Sequence, residues 1–166
     1  MKNLSEPADL EFVAIQNDGL AAILLCDFCE AFYDKKAAPK RGPELPVVMP
    51  ILPLLFNGHV TSQLCKRNFS GGLFRALSDD RSLILGLQKR MVNMANQTMA
   101  ALDLAFAADL LTYDAASTCI LPTAKKVPKE FDCADTKAMR AASRRLGIWF
   151  AEIPVEQLAY LLGLRF

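Results

Sequence analysis

The run Leu20-Ala21-Ala22-Ile23-Leu24-Leu25-Cys26-Asp27-Phe28-Cys29-Glu30-Ala31-Phe32-Tyr33 constrains the fold more than any other stretch of this chain. Leu20, Leu24, Asp27/Phe28 and Ala31/Phe32 recur at helical spacing, and Asn17 or Asp18 is placed to cap the first turn. The helix is apolar nearly all round, so it has to be buried. A chain of 166 residues, 52% apolar and 22% charged, has the material to bury it. At this size folding removes about 68–70% of the unfolded surface from water, with no need of disulfides or metals.

Several classes of protein are excluded early. Nineteen basic and eighteen acidic residues leave a net charge of +1, so any nucleic-acid contact has to come from local patches. The segment Met1 to Glu11 is acidic and broken by Pro7, unlike a secretory signal, and the expected location is the cytoplasm. Leu20 to Cys26 and Pro46 to Phe56 are too short or too proline-rich for a membrane span, which takes about 20 apolar residues. Five cysteines without regular spacing fit reduced thiols better than a disulfide framework.

The rest of the chain reads as mainly helical, one compact unit over 1–166. Asp34 to Pro46 is a basic, proline-containing flexible surface loop, and Val47 to Phe56, with prolines at 50 and 53, predicts a short, kinked, buried element. A short helix is expected over His59 to Lys66, then a turn over Asn68 to Gly72 and a brief helical turn ending at Ser78. Ser78 or Asp79 is placed to cap a helix carrying Ile84, Leu87, Met91 and Met94 on one face, with Lys89, Arg90, Asn93 and Gln97 outside. The next helix, about Asn96 to Asp109, carries Met99, Leu102, Phe106 and Leu110 on one face. Leu110 to Tyr113 and Thr118 to Pro122, joined by Asp114-Ala115-Ala116-Ser117, predict a β-hairpin. Helix, helix, hairpin is the order of a winged helix-turn-helix, so 80–122 is expected to form such a unit with the hairpin as wing. After it, Asp132 or Asp135 is placed to cap a helix with Met139, Ala142, Leu146, Trp149 and Phe150 inward and Lys137, Arg140 and Arg144 outward. Pro154 should start a last helix, Val155 to Leu162, stopped by Gly163.

Arg145-Leu146-Gly147-Ile148-Trp149-Phe150-Ala151, followed by Leu161-Leu162-Gly163-Leu164-Arg165-Phe166, resembles the C-terminal signature of the middle components of three-component ABC-ATPase conflict systems. It is similar also to the middle subunit of Lamassu-type anti-phage defence. Gln16-Asn17-Asp18-Gly19-Leu20 resembles the Asn-Pro-aliphatic opening of the family's first helix, with Asp18 in place of proline, and Leu45-Pro46 through Leu52-Pro53-Leu54 matches its Leu-Pro-rich buried segment. Two residues depart from the pattern: Phe166 stands where it ends in proline, and Ile148 where it has arginine. The resemblance implies a non-catalytic subunit that joins an SMC/Rad50-like ABC ATPase to an effector, often a nuclease. A free-standing winged-helix transcription regulator is the alternative.

The chemistry-bearing residues agree with a protein that is not an enzyme and needs no cofactor. Cys26 and Cys29 have C-x2-C spacing but lie one turn apart inside a helix, with no second ligand pair, so no metal site is expected. His59 is the only histidine and no G-x-S-x-G elbow accompanies it. Ser70-Gly71-Gly72 lacks the lysine and hydroxyl of a phosphate-binding loop. Lys125, Lys126 and Lys129, following the expected wing, and Arg140 and Arg144, on the outer face of the next helix, are the candidates for nonspecific contact with the backbone of double-stranded DNA. Trp149, Phe150, Met91 and Met94 are the candidates for a partner interface.

Overall fold

A computed structural model describes residues 17–66, 72–128 and 134–165. The apolar run forms helix α1, Asp18–Lys35, and the Asn17 side chain accepts the Leu20 N–H at 2.9 Å. That bond satisfies one of the donors orphaned at a helix N-terminus. Every residue from Ala21 to Cys29 is buried, as an all-round apolar helix requires.

Prolines then divide the chain into the kinked buried element that was expected. Helix α2, Leu45–Val48, carries Pro46 in its first turn, and α3, Ile51–Leu55, carries Pro53 where the N–H has no helical partner in any case. Val47, Val48, Ile51, Leu52, Leu54 and Leu55 are all buried. Helix α4 spans Gly58–Lys66 and α5 spans Gly72–Asp79. The turn expected over Asn68 to Gly72 lies outside the described residues, except for Gly72 itself.

The single helix expected after Asp79 is two pieces. Asp80, rather than Ser78 or Asp79, caps a 3-10 turn at Arg81–Ile84 by accepting the Ser82 N–H at 2.9 Å. Gly86, at φ +67°, turns the chain into α6, Leu87–Asn93. The left-handed conformation suits glycine and ends the helical path there. Leu87 and Met91 still reach the core, with Ile84 and Met94 partly buried against it. Helix α7, Ala95–Ala107, buries Thr98, Ala101, Leu102 and Ala105 and packs on α1. Met99, which the spacing puts on one face with Leu102, is exposed while Leu102 is buried. Small alanines make this buried face, and a periodicity counted on large residues overlooks them.

The hairpin forms as expected: β1, Leu111–Asp114, pairs antiparallel with β2, Cys119–Pro122, Leu111 opposite Pro122 and Asp114 opposite Cys119. Asp114 accepts the Ala116 N–H and the Ser117 hydroxyl within the turn. Strand β2 is covered on its other side by the 42–44 segment. Ile120 N donates to Pro43 O at 2.9 Å, Glu44 bridges to Cys119, and a Cβ on Gly42 would come within 2.0 Å of Ile120 O. The hairpin is thus built into the body of the protein.

Helix α8, Ala134–Ala151, is the main neighbour of α1. Ala142, Leu146, Trp149 and Phe150 face inward as expected, and Met139 is partly buried. The cap expected from Asp132 or Asp135 lies outside the described side chains. Pro154 precedes α9, Val155–Leu162, and Gly163 at φ +64° ends it, both as the sequence predicts. The architecture is mainly helical with one small antiparallel sheet.

Candidate functional site

The most elaborate polar arrangement lies between α1 and α8. Asp27 is 2% exposed, and Arg140 meets it with two hydrogen bonds, Nε to Oδ2 at 2.6 Å and Nη2 to Oδ1 at 3.0 Å. Arg144 Nη2 adds a third, to Oδ1 at 2.8 Å, from a side chain that is half exposed. Beside them the Ser143 hydroxyl donates to Leu24 O at 2.6 Å. The outward position expected for Arg140 is therefore corrected: it is 4% exposed and cannot reach a phosphate. Asp27 is the signal that could have found this, because a carboxylate inside an apolar helix requires a buried cation.

The C-terminal signature folds into the same interface. A Cβ on Gly147 would lie 2.5 Å from Phe28 O and 3.0 Å from both Ala31 Cβ and Phe32 N, so α8 approaches α1 backbone to backbone at that point. Phe150 meets Phe28 edge to face, with ring centroids 5.7 Å apart. Trp149, Phe150 and Met91 are buried within this chain and Met94 is partly buried, so the expectation that they form a partner interface is corrected. Gly147→Ala should cost about 1–3 kcal/mol, since backbone rather than a flexible side chain has to move. Urea denaturation followed by the single tryptophan, which the substitution leaves in place, measures it.

Cys26 and Cys29 are buried, and burial, helped for Cys26 by Asp27 and Glu30, pushes the Cys26 thiol up to about 12 and the Cys29 thiol well above its ordinary value. Both are thiols at neutral pH, as buried structural cysteines are. Cys119 is buried and accepts from Arg41 Nε at 3.1 Å, and Cys65 is partly buried. Cys133 lies outside the described residues. Among the described residues no group of three or more His, Cys, Asp and Glu is placed to hold a metal ion.

The fold brings His59, Asp80 and Ser82 together, which the sequence did not announce. His59 Nε2 lies 3.0 Å from Asp80 Oδ2 and 3.4 Å from Ser82 Oγ, while the Ser82 hydroxyl donates to Asp80 Oδ1 at 2.6 Å. In a hydrolytic triad serine and acid bond opposite nitrogens of the imidazole. Here both face Nε2 and the serine gives its proton to the acid, so the trio is a clip between α4 and the 3-10 turn. The Ser82 hydroxyl, then His59, hold the Asp80 carboxyl below its usual value. A depressed carboxylate adds stability above its unfolded pKa and loses it as pH falls through the folded one. Asp80→Ala should accordingly lower the melting temperature at pH 7, and by less as the pH falls through the acid range, as calorimetry across that range would show.

The basic side chains after the hairpin have partners inside the chain. Lys125 Nζ donates to Ala108 O at 2.7 Å, at the C-terminal end of α7, and Lys126 pairs with Glu30. Lys129 lies outside the described residues. Lys126 and Arg144 converge on one stretch of α1, where Asp27, Glu30 and Asp34 face them, giving a surface of mixed sign. The exposed apolar side chains lie elsewhere: Phe74 on α5, Leu85 before α6, Val92 on it, Met99 and Leu104 on α7, Tyr113 on β1 and Tyr160 on α9.

A family model described as ABC-three component (ABC-3C) system Middle Component 3 matches residues 5–166. The chain belongs to this family. No curated protein and no solved structure matches it. In this middle component the matched span takes in α1, the proline-divided segment and α8, the elements that make the core. It works within an ABC-3C system, alongside that system's other components.

Proposed function

We propose that this middle component is a non-catalytic adaptor, acting in the cytoplasm, that joins the SMC-like ABC ATPase of an anti-phage system to an effector nuclease. One observation carries the reading: large apolar side chains, among them Leu85, Val92, Met99, Leu104 and Tyr160, stand exposed on several helices of a chain that already has a well-filled core. Apolar side chains left open to solvent are what a partner would cover, and this supports the reading. Co-expression of the three components tests it. A stable assembly is expected, from which the effector drops out when the middle component is omitted. Association of ATPase and effector without it, or hydrolysis of ATP or DNA by the isolated chain, would overturn the proposal.

The alternative regulator reading needs a basic recognition helix ahead of the hairpin. Helix α7 occupies that place, and its outward residues Asn96, Met99, Ala100, Asp103, Leu104 and Ala107 include a carboxylate and no cation, a poor match to phosphates. Phosphate contact through Lys125 and Lys126 would break the bonds these lysines make to Ala108 O and Glu30. In the assembled complex, Lys125→Ala with Lys126→Ala should leave the slope of log affinity for DNA against log salt unchanged. A fall of roughly one per lysine would instead assign them to the DNA backbone.

A further inference from the structure

We propose that the buried Asp27–Arg140 pair sets the register of α8 on α1, selecting one alignment of the two helices among those their apolar surfaces would allow. The inference is independent of the adaptor reading, because every group it uses lies inside this chain.

Helix α1 cannot choose its alignment by polarity. Every residue from Ala21 to Cys29 is buried, and the helix packs against α8, α7, β2 and α3. Such a helix has no polar stripe to say which turn meets a given neighbour, and apolar contact is non-directional. Asp27 is the exception, the only charged residue in that buried stretch.

The tie points on α8 repeat at one-turn spacing. Arg140 and Arg144 meet Asp27, the Ser143 hydroxyl donates to Leu24 O, and Gly147 passes Phe28 O where a Cβ would lie 2.5 Å away. A slide of α8 by one turn, about 5.4 Å, exchanges each of these for a residue some four positions along. In one direction Arg144 replaces Arg140 beside Asp27, Arg140 is carried a turn away from its carboxylate, and Ala151 brings a Cβ against Phe28 O. In the other, Thr136 replaces Arg140 and Ser143 brings the Cβ. Leu146 meanwhile yields to Phe150 or to Ala142, one apolar residue for another. A slight separation of the helices relieves the Cβ contact, whereas it does nothing for a displaced ion, so the ion pair decides.

The pair suits selection better than stabilisation. A buried ion pair adds little over an apolar pair of similar volume, since desolvation offsets its attraction, yet stranding one ion in another arrangement is costly. Cores repacked with other apolar residues lose uniqueness before stability. Arg140 alone satisfies both Asp27 oxygens, Nε lying 2.6 Å from Oδ2 and Nη2 3.0 Å from Oδ1, and such a fork accepts one direction of approach. Helix α8 leads into α9 and Arg165, whose N–H donates to Gln88 Oε1 on α6 at 2.9 Å, so the register of α8 also fixes where these elements meet.

Trp149, the single tryptophan, lies on α8, so its indole N–H resonance reports how many arrangements that helix adopts. The test records nitrogen–proton correlation spectra of the full chain for wild type, for Asp27→Leu with Arg140→Met, and for Arg140→Lys. Wild type and Arg140→Lys should each give one sharp indole peak, because a cation remains beside Asp27 in both, even where the lysine variant melts lower. The double variant should keep a urea midpoint close to that of wild type. It should give two or more indole peaks, or one broadened by exchange, with the α8 amides affected alike. A single sharp indole peak from a stable double variant would overturn the inference. Splitting in Arg140→Lys would overturn it as well, by showing that side-chain shape and not charge sets the register. An unfolded double variant would do the same, by showing that the pair holds the fold together rather than choosing its alignment.

Discussion

Asp27→Asn is expected to lower stability by about 3–5 kcal/mol, the usual consequence of leaving a buried charge without its partner. Arg140 is enclosed beside Asp27 and would keep its charge, while the half-exposed Arg144 can turn to water. Arg140→Met should cost less from the other side, because Arg144 Nη2 still pairs with the carboxylate at 2.8 Å. The double variant Asp27→Leu with Arg140→Met should recover most of the loss, because a well-packed apolar pair does as well as a buried ion pair. Urea denaturation at neutral pH measures all three. Near-wild-type single variants would mean that the pair is solvated and not part of the core.

Trp149→Ala should be comparably severe, about 3–5 kcal/mol, because the side chain is 1% exposed and its removal leaves a large void. The indole Nε1 is buried without a hydrogen-bond partner among the described residues, so the ring stabilises through packing alone. Trp149→Phe should cost clearly less, since it keeps most of the apolar contact. Circular dichroism is the suitable probe, the variants having lost the only tryptophan. An unchanged melting temperature with loss of complex formation would put Trp149 at a partner surface after all.

Where local chemistry dictates structure, the sequence is legible. Asn17 ahead of an unbroken apolar run marks α1, four turn-prone residues mark the hairpin, and Pro154 and Gly163 bracket α9. Gly86 sits within a stripe of helical period, and its left-handed conformation shows only in three dimensions. Arg140 was misjudged because a helical wheel sends every arginine to solvent, whereas its partner is 113 residues away on another helix. The partner of Lys126 is likewise remote, 96 residues away, and that of Lys125 is 17 residues away. Core and interface residues share one composition, so the Trp149 and Phe150 signature could not be assigned to either from composition alone. Helix α7 shows the converse, with Met99 and Leu104 at the surface and alanines within.

These observations divide the molecule into a closed scaffold, α1 with α8, and exposed apolar side chains on α6 and α7. Amide hydrogen exchange of the chain alone and within the assembled three-component complex tests that division most directly. The account predicts new protection over α6 and α7 and no change over Met139–Ala151, which the α1 contact already shields in the free chain. New protection over Met139–Ala151 with none on α6 or α7 would contradict it.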